Sequence, residues 1–238
     1  MGTNHLSSSD AIRQAKSLLG KRAAADAKRL LQDAITAAET ELGSDAPELI
    51  ELLCLFVESN RTERPWNVFP DDERKSLERA LSLARTRHGD ESPETMRVHE
   101  MLGVRLLAAK AFDEAAEHLA LVARVKERIY GDGVIAAHAL NGLADARLNL
   151  RQFADAHALY ERSFEMAGGR GDDLMDFTIN FGKARSLMGM GRHPEAVTVL
   201  EGAYDWFSKR FGKTSARELH AWLEAARKGL SDGVDDPT

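Results

Sequence analysis

Glycine recurs along this 238-residue chain at intervals that mark a repeating structure. Four helical stretches stop in the same way, at Leu42-Gly43, His88-Gly89, Tyr130-Gly131 and Phe211-Gly212, at intervals of 46, 42 and 81 residues. The last interval is close to two periods, and Gly171-Asp172-Asp173 falls where the missing stop belongs. Each glycine suits the left-handed position just beyond a helix end, and residues able to cap the next helix follow, as in Gly89-Asp90-Glu91-Ser92-Pro93-Glu94. A period of this length means a supersecondary unit that cannot bury its apolar face alone, so successive units must stack.

A second landmark divides each period. Lys110-Ala111-Phe112-Asp113-Glu114-Ala115, Arg151-Gln152-Phe153-Ala154-Asp155-Ala156 and Gly191-Arg192-His193-Pro194-Glu195-Ala196 read as turns between paired helices. After the turn, Ala115, Leu119, Val122, Ala123 and Lys126 recur as Ala156, Tyr160, Ser163, Phe164 and Ala167, at helical spacing. Ala27, Leu31, Ala34, Ile35 and Leu42 repeat that spacing backwards from Gly43, so the first helices already belong to the array. The 35 alanines and 29 leucines favour helix over sheet. About ten or eleven helices in antiparallel pairs are predicted, with Phe112, Leu119, Phe153, Tyr160, Phe164 and Leu200 buried between repeats.

These residues resemble the tetratricopeptide repeats, in particular the 42-residue variety of kinesin light chains and many bacterial proteins. Gly131 to Ala167 carries the pattern best, with Leu140-Asn141-Gly142-Leu143-Ala144 in its first helix and Phe153, Ala156, Tyr160 and Ser163 around its second. Gly89 to Tyr130 follows closely, through Leu102-Gly103, Phe112, Ala115 and Leu119. The other two repeats are degraded, one of them by a short insertion around Arg64-Pro65-Trp66-Asn67-Val68-Phe69-Pro70. The resemblance implies an all-α fold, an α-solenoid of antiparallel helix pairs wound as a right-handed superhelix. The expected organisation is a disordered segment 1–10, then a single helical-repeat domain over 11–230. Within it lie N-terminal helices over 11–42, repeats at 43–88, 89–130, 131–170 and 171–211, and a capping helix over 215–230. A disordered tail follows over 231–238. Leu219, Trp222, Leu223, Ala226 and Leu230 form the stripe by which the cap would shield the last repeat.

Several function classes lack support. With 32 basic against 38 acidic residues the formal charge is −6, which gives no positive field to collect nucleic acid. No run reaches the apolar length of a membrane span, and MGTNHLSSSD has neither the basic start nor the apolar core of a signal peptide, so a cytoplasmic protein is expected. Cys54 is the only cysteine and sits in Leu52-Leu53-Cys54-Leu55-Phe56, an apolar setting that predicts an unreactive structural thiol; it also counts as level with Glu100. The histidines show no metal-ligand spacing on one helical face and read as structural or solvated. Gly168-Gly169-Arg170-Gly171 has no preceding strand and reads as an inter-repeat loop; neither a phosphate-binding loop nor a nucleophile elbow occurs. No catalytic residue, metal or cofactor is expected.

The resemblance instead implies a groove lined by the first helix of each pair, which binds a peptide or helix of another protein. Asn141 occupies the position where kinesin-light-chain-like repeats place an asparagine that contacts peptide backbone, and Asp145 and Asn149 follow on the same face. The same counting adds His138 from this repeat and Arg97 and Glu100 from the one before, a groove of mixed charge. The reading is a protein-binding adaptor or scaffold. The alternatives are a ligand-gated regulator, such as a signalling-peptide receptor, and a subunit that self-associates through its ends as a homo-oligomer. Trp66 and Phe69 are read either as a staple over the apolar helix Leu49 to Val57 or as an exposed anchor for a partner, the staple being favoured.

Overall fold

The chain's computed structural model describes residues 6–60, 67–168 and 174–229, in which eleven helices and no strand occur. Trp66, the segment Gly169 to Asp173, Leu230 and the tail 231–238 lie outside the described residues. The chain sorts into two units, 1–122 and 123–238, with the boundary inside one helix. Unit 1 holds α1 (Ser8–Gly20), α2 (Ala24–Leu42), α3 (Glu48–Ser59), α4 (Asp71–His88), α5 (Pro93–Ala108) and the start of α6 (Phe112–Tyr130). Unit 2 holds the rest of α6, then α7 (Val134–Asn149), α8 (Phe153–Ala167), α9 (Leu174–Gly189), α10 (His193–Phe211) and α11 (Arg217–Arg227).

The turns within pairs share one chemistry. Ala23 N–H reaches Leu18 O, Ala111 reaches Leu106, Gln152 reaches Arg147 and Arg192 reaches Leu187, each at 2.9 to 3.0 Å. This is the six-to-one closure that ends a helix once one residue turns left-handed. That residue is Arg22, Lys110, Arg151 or Gly191, with φ of 59°, 63°, 60° and 74°. Three of the four are not glycine, which is why their strings looked unlike one another, and the Arg22 turn makes α1 and α2 a pair like the others. Three of the four stops between pairs differ from expectation, while Gly131 has the expected left-handed φ, 62°. Gly89 has φ 90° and ψ 163°, and Gly43 and Gly212 are similar, so they take an extended backbone at positive φ, open essentially to glycine alone, instead of the left-handed helical one.

Helix α1 corrects the segment assigned to a disordered N-terminus. It begins at Ser8, because the Ser7 hydroxyl accepts from the Asp10 N–H at 3.2 Å and donates to the Asp10 carboxylate at 2.8 Å. Pro93 similarly opens α5 behind Ser92, whose hydroxyl accepts from Thr95 N–H at 3.1 Å.

Unit 1 packs around fully buried Leu31, Leu49, Leu52, Leu55, Leu77, Met96 and Leu119. Unit 2 packs Tyr160 with Ala144, Leu148, Ala156 and Ile179, and Leu200 with Ala184, Leu187, Trp222 and Leu223. The cap therefore seals the last pair with the stripe read from sequence. Phe112, Phe153 and Phe164 are only half-buried, in contrast to expectation. The first two begin their helices, and the Phe164 ring is covered by the Lys183 ammonium at 4.8 Å.

The insertion before α4 is held by an arginine. Arg105 of α5 donates to the Val68 carbonyl at 2.7 Å and to the Glu73 carboxylate at 2.6 Å, and its guanidinium lies 5.3 Å from the Phe69 ring centre. Glu73 and Arg105 are 0% and 9% exposed, so the ion pair is part of the interior. The aromatic expected to cover α3 is thus clasped by α5.

Candidate functional site

Each unit presents a candidate face built on the first helices of its pairs, and the two faces carry different chemistry. In unit 1, Glu51 of α3 joins two cations from neighbouring first helices: Lys16 of α1 at 2.9 Å and Arg97 of α5 in a close ion pair. Burial pushes the Glu51 carboxyl up, but the hydrogen bonds from Arg97 and Lys16 outweigh it and hold it below the ordinary carboxylate value. Arg97, expected to meet a ligand, is therefore committed to Glu51. The partner was legible, since the offset that sets Cys54 level with Glu100 also sets Glu51 level with Arg97. Glu100 lies half-buried along the same helix. Cys54 is 1% exposed, and burial pushes its thiol up to about 12, as an apolar setting requires.

In unit 2 the face presents Asn141, Asp145 and Asn149 of α7, all half-buried, with His138 exposed one turn before Asn141. Spacings of four residues bring the asparagines and the aspartate to one side. Their states differ. Asn149 already donates through Nδ2 to the Asp145 carbonyl at 2.8 Å. Asp145 accepts from the Tyr160 hydroxyl of α8; burial pushes its carboxyl up, against the pull of that hydrogen bond and of Arg185. Asn141 alone is left with a need, because its Oδ1 is buried and has no hydrogen-bond partner.

Three residues of this face were missed at the sequence level. Forty residues beyond Asn141 and Asp145, α9 places Phe181 and Arg185. The Arg185 guanidinium lies 5.8 Å from the Phe181 ring centre and 5.3 Å from that of Trp222 of α11, and the two rings meet edge to face at 5.9 Å. Counting along the degraded last repeat finds Phe181 and Arg185; Trp222 was seen only as a core residue of the cap. The face of unit 2 therefore combines an unpaired amide oxygen with an arginine steadied by two aromatic rings.

Two histidines form a structural pair whose contact helical spacing did not reveal. His99 of α5 and His118 of α6 lie on either side of the Lys110 turn, and the hairpin brings their Nδ1 atoms to 2.7 Å. Arg85 of α4 lies 3.3 Å from His99 Nε2, and a guanidinium can only donate. His99 Nε2 is thus an acceptor, its Nδ1–H donates to His118 Nδ1, and both rings are neutral. Among the described residues, no group of three or more histidine, cysteine, aspartate or glutamate side chains gathers as a metal site would. No helix among the described residues is long and apolar enough to cross a membrane.

No protein-family model and no curated protein sequence matches the chain. Solved structures do. The nearly identical kinesin-light-chain TPR-like repeats of Podosopora anserina superpose with a TM-score of 0.70 at 17% identity, over 84% of this chain and 95% of that one. BtubC (BKLC) from P. vanneervenii superposes with a TM-score of 0.65 at 17% identity, over 89% of this chain and 84% of that one. Likeness at such identity establishes architecture: the chain is a TPR-like repeat protein, an α-solenoid of helix pairs closed by a C-terminal capping helix.

Proposed function

We propose that this TPR-like repeat protein is a non-enzymatic interaction module that holds an extended segment of a partner protein against the α7 and α9 face of unit 2. The observation that carries the reading is the Asn141 carboxamide, whose oxygen is buried without a hydrogen-bond partner. Leaving such a group unpaired costs about 1–3 kcal/mol, a cost that is removed when the side chain turns outward to accept a peptide N–H laid across α7. A carboxamide can accept from a backbone N–H and donate to a backbone carbonyl, so it can hold an extended chain whatever its side chains are. Arg185, placed over Phe181 and Trp222, supplies a rigid cationic and aromatic contact beside it. Asn149 and Arg97 are spent on contacts within the protein, and their part in binding is correspondingly smaller.

Selection of a displayed random-peptide library on the intact chain tests this. Peptides retained by the wild type should bind Asn141→Ala with ~3- to 10-fold lower affinity, the range of one hydrogen bond, while thermal melting stays nearly unchanged. Asn149→Ala should change affinity less. Equal affinity of the wild type and Asn141→Ala for every selected peptide would move the working surface away from this face.

A further inference from the structure

At the C-terminal end of unit 2, α10 and α11 enclose an open cleft of about 450 Å3 lined by Tyr204, Lys213, Thr214, Arg217, His220 and Ala221. Each polar side chain of that lining can donate a hydrogen bond, and none is a carboxylate. In a chain with 38 acidic residues to 32 basic ones this is a local reversal of charge. Neighbouring cations on the same two helices are matched: Lys209 pairs with Asp205 at 2.6 Å, and Arg227 bridges Glu201 and Glu224 at 2.9 Å each. Lys213 and Arg217 make no ion pair or side-chain hydrogen bond among the described residues. Glu218 follows Arg217 in sequence but points about 100° away around the helix.

Two further features favour an anion here. Helix α11 starts beside the cleft at Ala216 without a side-chain cap; the Arg217 N–H is taken by the Thr214 carbonyl at 3.4 Å, but the positive end of the helix still lies here. The Tyr204 ring meets His220 edge to face at 5.6 Å, which holds the imidazole at the cleft wall. Lys228 lies three turns beyond Arg217 on the same side of α11, and Glu224 between them on that side is already paired with Arg227 at 2.9 Å.

We propose that this cleft is a second docking site, independent of the Asn141 face, for an acidic segment of a partner protein. Aspartate or glutamate side chains of that segment pair with Lys213 and Arg217, and Tyr204 and Thr214 supply neutral donors to the same oxygens. A peptide is favoured over nucleic acid because the chain as a whole is negative and would repel a long polyanion beyond the cleft.

The test is fluorescence anisotropy of a labelled oligoglutamate peptide with the intact protein, in low and in physiological salt. The wild type should bind, more weakly as salt rises. Lys213→Gln with Arg217→Gln should bind at least ~10-fold more weakly, with unchanged melting because both side chains are exposed. Asn141→Ala should bind this peptide as the wild type does, which separates this site from the first. No binding by the wild type, or equal binding by the double variant, overturns the proposal. So does equally tight binding of a single-stranded DNA of the same charge, which would make the cleft a general polyanion site.

Discussion

The Tyr160 hydroxyl of α8 donates to the Asp145 carboxylate of α7, and the same ring closes on Gly182 of α9, so one side chain ties three helices of unit 2. A Cβ at Gly182 would stand 2.6 Å from the Tyr160 oxygen and closer still to the ring. The glycine is there because the ring leaves no room for anything larger.

Two substitutions separate packing from hydrogen bonding at this joint. Gly182→Ala should destabilise by ~1–3 kcal/mol through overpacking. Tyr160→Phe keeps the ring and removes the donor, which should destabilise by ~1–3 kcal/mol and push the Asp145 carboxyl further up. A group whose folded value lies above its unfolded one stabilises below the unfolded value and loses that contribution as pH rises through the folded value. The Tyr160→Phe deficit should therefore widen from acid towards neutral pH. Urea denaturation at several pH values measures both effects; an equal deficit at all pH values would contradict the hydrogen bond to a carboxylate.

The histidine pair gives unit 1 an acid limit. Burial, then the neighbouring His118 and Arg85, push His99 from 6.5 down to about 4, and burial leads the downward shift of His118 as well. The folded value is depressed, so the unfolded chain binds more protons between these limits. Stability is fully present above pH 6.5 and falls as pH drops through the window towards 4, by on the order of 1–3 kcal/mol from His99. His99→Gln should flatten that part of the stability profile measured by urea denaturation, and an unchanged slope would place the acid sensitivity elsewhere.

The clasp on the insertion makes a third expectation. Arg105→Met preserves much of the side-chain volume but removes the guanidinium that faces buried Glu73 and the Val68 carbonyl. Breaking one half of a buried pair is expected to destabilise by ~3–5 kcal/mol. Glu73→Gln combined with Arg105→Met should recover part of the loss, because no buried charge then faces a missing partner. Protease cleavage at 67–70 should accelerate in the single variant and less in the double one.

The linear sequence determined the architecture because repeats are periodic and local. Glycine stops, turn strings and the small and large residues around Ala156 and Tyr160 recur along the chain, and each unit mainly meets its neighbours. The offset of the repeats even carried hidden pairings, such as Glu51 level with Arg97 and Arg185 level with Asp145. What the tertiary structure decided is the state of each side chain once it arrives there. Helical spacing put Asn141, Asp145 and Asn149 on one face, yet only packing against α8 shows Asp145 bound to Tyr160 and Asn149 turned onto its own helix, with the Asn141 oxygen left unpaired. It also brought His99 to His118 and closed Arg105 over Phe69. Periodicity records which way a residue points; whether its hydrogen-bonding capacity is already used depends on partners from other elements, at distances that sequence spacing does not encode.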